Sequence, residues 1–112
     1  MKIEIYVDTI SNKKLIREIQ YHVNGKIKNE YYYLDGELHR EDGPANIWYY
    51  DNGVMCSEHY LLNGKYHRDN GFAKNWYFSN GIIDDAEYWI NGKLITDPLQ
   101  IFVIETLGTK IK

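Results

Sequence analysis

Ile47-Trp48-Tyr49-Tyr50-Asp51-Asn52-Gly53 and Asn75-Trp76-Tyr77-Phe78-Ser79-Asn80-Gly81 are the same phrase written twice, 28 residues apart. A tryptophan and a tyrosine on adjacent positions, then two polar residues and glycine, read as a short strand running into a tight turn. Working outward, Asn-Gly or Asp-Gly turn dipeptides close at Gly25, Gly36, Gly53, Gly64, Gly81 and Gly92, with alternating gaps of 11 and 17 residues. The gaps sum to a strict 28-residue period. Other positions obey it: Glu30 maps onto Glu58, Tyr32 onto Tyr60 and Tyr88, and Tyr21 onto Tyr49 and Tyr77. Leu38-His39-Arg40-Glu41-Asp42-Gly43-Pro44-Ala45 maps onto Tyr66-His67-Arg68-Asp69-Asn70-Gly71-Phe72-Ala73. Fixed-period self-similarity of this kind is the mark of a repeat architecture.

Asn-Gly and Asp-Gly tolerate the positive φ angles of a type I′ turn, whose twist suits a two-residue hairpin. The shorter gap holds one strand. The longer holds a second strand and a polar connection, so each unit supplies two strands. The expected fold is all-β: an antiparallel meander of about 2.5 units in a single twisted or curled sheet. Residues 1–25 form an N-terminal cap with a partial unit, opened by the alternating Ile3, Ile5 and Val7. Full units span 26–53 and 54–81, a partial third spans 82–94, and 95–112 is a C-terminal cap, all within one domain. In that cap Thr96-Asp97-Pro98 signals a helix start and Gly108 a stop, whereas Ile101-Phe102-Val103-Ile104 has strand propensity. A short covering helix is expected there, with a last strand as the alternative.

The Trp-Tyr-Tyr-Asp-Asn-Gly phrase, followed by Glu58-His59-Tyr60-Leu61-Leu62-Asn63-Gly64-Lys65, resembles the MORN-variant repeat. The likeness runs over residues 18–94. The Leu-His-Arg-Glu-Asp-Gly-Pro-Ala stretch is similar to repeats of open reading frames carried by phages and large viruses. The resemblance implies a β-meander and interaction functions, including antitoxin-like roles; an immunity protein or a phage-encoded inhibitor of a host defence protein, such as an anti-CRISPR, would fit the same chain. The His-Arg linker makes this unit longer than the usual one.

Composition narrows the function classes. Eleven Tyr, three Trp and three Phe supply much of the apolar material in 112 residues. A net charge of −3 with scattered Lys and Arg argues against nucleic acid. The lone Cys56 excludes an internal disulfide and is expected to be a buried, inert thiol. No apolar run approaches a membrane span, and Glu4 interrupts what a signal peptide would need, so the cytoplasm (a host's, for a phage-encoded chain) is the expected location. No cofactor or metal is expected.

Two features compete for the role of site. His39-Arg40-Glu41-Asp42 and its copy beginning His67-Arg68 set imidazoles beside carboxylates, the materials of acid–base chemistry. Yet the third unit lacks both His and Arg, and a catalytic set is not normally repeated along a scaffold. Turn chemistry is the expected role, with contact to a partner as a second one. The aromatic faces are the better candidates. Strand alternation sets Tyr32 and Leu34 against Ile27, Tyr31 and Tyr33, with Trp89 on the second face two units later. Both faces are therefore partly apolar, and a single layer must cover the second by curling, by its C-terminal segment, by a homodimer through that face, or by a protein partner. Tyr31, Tyr33, Tyr49, Tyr77 and Trp89, with His39, Arg40, His67 and Arg68, are the candidate protein-binding residues. The expected function is a non-enzymatic module that sequesters or inhibits a protein. Its alternatives are a self-assembling structural protein and, third, a ligand binder or enzyme using the His-Arg turns.

Overall fold

In a computed structural model, which describes residues 2–108, the chain is a flat slab of 45 × 41 × 17 Å. Its Cα radius of gyration is 15.4 Å, against about 13 Å for a compact domain of this length. The excess follows from the architecture, a single β-layer with one helix. Strands β1 (Ile3–Ile10), β2 (Lys13–Tyr21), β3 (Ile27–Leu34), β4 (Glu37–Leu38), β5 (Asn46–Tyr49) and β6 (Met55–His59) come first. Then follow β7 (Leu61–Leu62), β8 (Lys65–Tyr66), β9 (Lys74–Tyr77), β10 (Ile83–Ile90), β11 (Lys93–Ile95) and α1 (Pro98–Leu107). The main sheet is antiparallel, ordered β1-β2-β3-β5-β6-β9-β10-β11, with β4 beside β3 and β7–β8 as a separate pair. The expected meander is thus the fold, and the cap over 98–107 is the helix.

The two-strand description of a unit needs one refinement. Each long strand (β3, then β6 continued by β7) turns back into a two-residue return, β4 or β8. The chain then leaves the sheet for the His-Arg loop and rejoins the same line as β5 or β9. Tyr32 clamps both ends of the first excursion, accepting from the His39 N–H at 2.9 Å and donating to the Ala45 carbonyl at 2.8 Å. Tyr60 does the same for His67 and Ala73 at 3.0 and 2.7 Å. Ala45 and Ala73 are fully buried where each loop folds back, which leaves no room for a larger side chain.

The six turn dipeptides divide into two geometries. Asp35, Asn63 and Asn91 have positive φ, as do the glycines after them, so these three are type I′ turns. Asn24, Asn52 and Asn80 do not. There Gly25, Gly53 and Gly81 donate back to His22, Tyr50 and Phe78, giving a type I turn closed by a left-handed glycine. In these wider turns the asparagine carboxamide caps the residue after glycine, as where Asn52 Oδ1 accepts the Val54 N–H at 2.9 Å. The same asparagines stitch unit to unit: Asn24 donates to the Asp51 carbonyl (2.7 Å) and Asn52 to that of Ser79 (3.1 Å).

One face of the sheet, called here the covered face, carries the row Ile19, Glu30, Ile47, Glu58 and Asn75 across successive strands. Ile19, Ile47, Asn75 and even Glu30, at 6% exposure, are buried in it. Both His-Arg loops fold over this face, and α1 closes its C-terminal end, packing Ile104 and Ile101 onto Tyr88, Ile90, Ile95 and Phe72.

Candidate protein-binding face

On the covered face the carboxylate of Glu30 accepts from Arg17 Nη2 (2.7 Å), Tyr49 Oη (2.8 Å) and Tyr32 Oη (3.1 Å). Burial alone would push this carboxyl up, but the three donors outweigh it and hold it below its ordinary value. One unit later Tyr77 donates to Glu58 at 2.8 Å, and burial together with that bond pushes its hydroxyl up to about 12. Tyr49 is shifted in the same direction by burial and by Glu30. These two tyrosines, expected on a binding surface, therefore lie on the covered face and are spent on internal carboxylates.

The His-Arg motifs are likewise spent internally. The Arg40 guanidinium lies 4.1 Å over the Tyr32 ring and that of Arg68 lies 4.0 Å over Tyr60. Each also donates to its own loop, Arg40 to Asp42 and the Pro44 carbonyl, Arg68 to the Phe72 carbonyl. The imidazoles join units. His39 Nδ1 accepts the Asn63 N–H at 2.8 Å and His67 Nδ1 the Asn91 N–H at 3.0 Å, while each Nε2 faces an acid, Glu41 or Asp69. Each imidazole thus caps the type I′ turn of the following unit. His39→Ala should strand the Asn63 N–H at a cost of about 1–2 kcal/mol, measured by urea unfolding. Asparagine at 39, with an acceptor near the same place, should recover part of that. An unchanged midpoint in the alanine variant would remove the capping role.

The other face is different in kind. Tyr31 meets Tyr33 at 6.2 Å between ring centroids and Trp48 edge-on at 6.2 Å. His59 stands edge-on between Tyr66 (5.8 Å) and Trp76 (5.6 Å), and Tyr66 packs on Trp89 at 5.1 Å. The Lys74 ammonium sits 3.8 Å over the Tyr66 ring and 4.7 Å over Trp89. Burial, aided by Lys74, lowers the His59 pKa and so favours the neutral imidazole. Burial raises the hydroxyl pKa values of Tyr31 and Tyr33. All three tryptophans of the chain lie on this face, and each is half-buried. Neither the His-Arg loops nor α1 reaches it.

Of the expected binding residues, the structure thus brings Tyr31, Tyr33 and Trp89 onto one surface and sets Tyr49, Tyr77, His39, Arg40, His67 and Arg68 on the other. Sequence reasoning passed over Trp48, Tyr66, Trp76, His59 and Lys74. Alternation along β5 and β9 would have found the two tryptophans once their register with Tyr31 was known.

A shallow groove of about 820 Å³ lies on the covered side, between the β1–β2 hairpin and the first His-Arg loop. Of its three cations, Lys13, Arg17 and Arg40, the two arginines are already paired with Glu30 and Asp42. Among the described residues no three His, Cys, Asp or Glu side chains are grouped to hold a metal ion. Cys56 is half-buried rather than buried, beside the Tyr50 hydroxyl. No described helix is long and apolar enough to cross a membrane. No protein-family model, curated protein or solved structure matches the chain.

Proposed function

We propose that this protein is a non-enzymatic module that captures another protein on its uncovered aromatic face. One observation carries the reading: six half-buried rings, Tyr31, Tyr33, Trp48, Tyr66, Trp76 and Trp89, line one side of a single-layer sheet that has no second layer over it among the described residues. Large rings desolvate much area at low entropic cost, and these pack in two groups, Tyr31 with Tyr33 and Trp48, and Tyr66 with Trp89 and, through His59, Trp76, so the surface is already organised before a partner arrives. The functional polar groups elsewhere are consumed by the scaffold. Sequestration or inhibition of the captured protein, in the manner the MORN-variant resemblance implies, is the mode this supports.

The test uses the tryptophans as native reporters. A partner seated on this face should shift indole emission to the blue. With the immobilised chain and a lysate of the source cell, Trp48→Ser and Trp76→Ser together should reduce recovery of the captured protein roughly 30-fold, the size of a central anchor loss. Val23→Ser, at a fully exposed turn position, should leave it unchanged. Recovery insensitive to the tryptophan pair, in variants whose circular dichroism is native, would reject the face.

A further inference from the structure

The two ends of the sheet are unequal. At one end β11 is three residues long and runs directly into the segment leading to α1. At the other, β1 offers eight residues whose pairing with β2 is unbroken from Ile3↔Gln20 to Ile10↔Lys13. Natural edge strands are usually blunted by Pro, Lys or a bulge. The stretch Ile3-Glu4-Ile5-Tyr6-Val7-Asp8-Thr9-Ile10 has none of these.

Which groups of β1 are unpaired follows from the turn. Ser11 and Asn12 both have positive φ, so Ile10 and Lys13 flank a two-residue hairpin as a hydrogen-bonded pair. The even-numbered residues of β1 therefore bond to β2, in agreement with the Tyr21 N–H donating to the Lys2 carbonyl at 3.1 Å. Ile3, Ile5, Val7 and Thr9 direct their N–H and C=O groups outward. Thr9 is already served, its N–H donating to Asp8 Oδ1 at 2.7 Å. Among the described residues, three with free outward amides remain: Ile3, Ile5 and Val7. Their side chains share the aromatic face and are 52%, 60% and 59% exposed.

We propose that β1 pairs antiparallel with β1 of a second copy, about a two-fold axis at Ile5. In that register Ile3 faces Val7 of the other copy and Ile5 faces Ile5, so all three outward amides on each side are satisfied and three apolar pairs form. Lys2 then stands opposite Asp8, and Glu4 opposite Tyr6. Sliding one step, to an axis at Tyr6, sets Glu4 against Asp8 and calls on the occupied Thr9 N–H. A further step, to an axis at Val7, again needs Thr9 and replaces apolar pairs by Ile5 against Thr9. Charge and amide supply select one register. The product is a continuous sheet through both copies, with the two aromatic faces merged on one side.

Sedimentation velocity of the full chain over a concentration series is the test. Wild type should reach twice the 13.3 kDa chain mass and stop there. Ile5→Lys sets like charges face to face on the axis and should weaken association roughly 100-fold while leaving the melting curve near that of wild type at dilutions where both are monomers. For register, Ile5→Cys should form an intermolecular disulfide under mild oxidant, and Val7→Cys should not. A wild type that stays monomeric at 100-µM order, a mass that grows past the dimer, a dimer indifferent to Ile5→Lys, or crosslinking through Val7→Cys would each overturn the proposal.

Discussion

Glu30→Ala is expected to be among the most damaging single substitutions on the covered face, costing about 3 kcal/mol. The carboxylate is 6% exposed and is the common acceptor for Arg17, Tyr32 and Tyr49. Its loss strands two phenol hydroxyls and a guanidinium at once, and the backbone cannot move to serve them because Ile19 and Ile47 pair with Glu30 on either side. The Arg17 side chain is 42% exposed and can turn to water, which keeps the figure below that of a fully enclosed ion pair. For a chain of this size the loss corresponds to a fall in melting temperature of about 12 °C. Glu30→Gln keeps an acceptor for the phenols and should cost about half as much. A Glu30→Ala variant that melts with wild type would show that the three donors are equally content elsewhere.

The same residue gives an acid limb whose sign is fixed. Its folded carboxyl titrates below the 4.5 of an unstructured chain, so its contribution is fully present above that pH and is lost as pH falls through the folded value. The stability gap between wild type and Glu30→Gln should therefore narrow as pH is lowered from neutrality to about 3. A gap independent of pH would mean that the carboxylate is not held by its partners.

Much of this fold could be read in the chain because a 28-residue period is a geometric statement. Turn dipeptides at fixed spacing determine strand lengths, and alternation then assigns faces. What could not be read was register. Nothing in Tyr49 itself says that it faces Glu30 rather than the open side, since β5 is rejoined only after a seven-residue excursion. That excursion also hid the role of His39, whose partner is an amide 24 residues away in the next unit. The identical Asn-Gly dipeptides adopt two turn types because one set closes a tight hairpin and the other a wider one. Glu30 and Glu58 repeat in the sequence as plainly as the tyrosines do, yet their role depends on donors from other strands.

The C-terminal helix shows what happens where the repeat runs out. The third unit has Ile95 where the others have histidine and Thr96 where they have arginine, so it cannot build the loop that covers Tyr32 and Tyr60. Helix α1, begun by the Asp97 side chain capping Leu99 and by Pro98, takes that place over Tyr88. Ile95 is buried instead of hydrogen-bonded, the Phe72 ring stacks on Tyr88 at 4.3 Å, and Glu105 accepts from the Tyr88 hydroxyl at 2.7 Å, as Glu30 does from Tyr49. Ile104 is the helix residue most deeply set in this cluster, at 4% exposure. Ile104→Ala should therefore cost about 3 kcal/mol, the usual range for a truncated core aliphatic. In a repeat array each unit contacts only its neighbours, so the loss should be local. Amide exchange should quicken by roughly 100-fold across α1 and β11 and remain near wild type in β3 and β5. Uniform acceleration would instead mean that the sheet unfolds as one unit. No acceleration would mean that the helix is held by something other than the contact that buries Ile104.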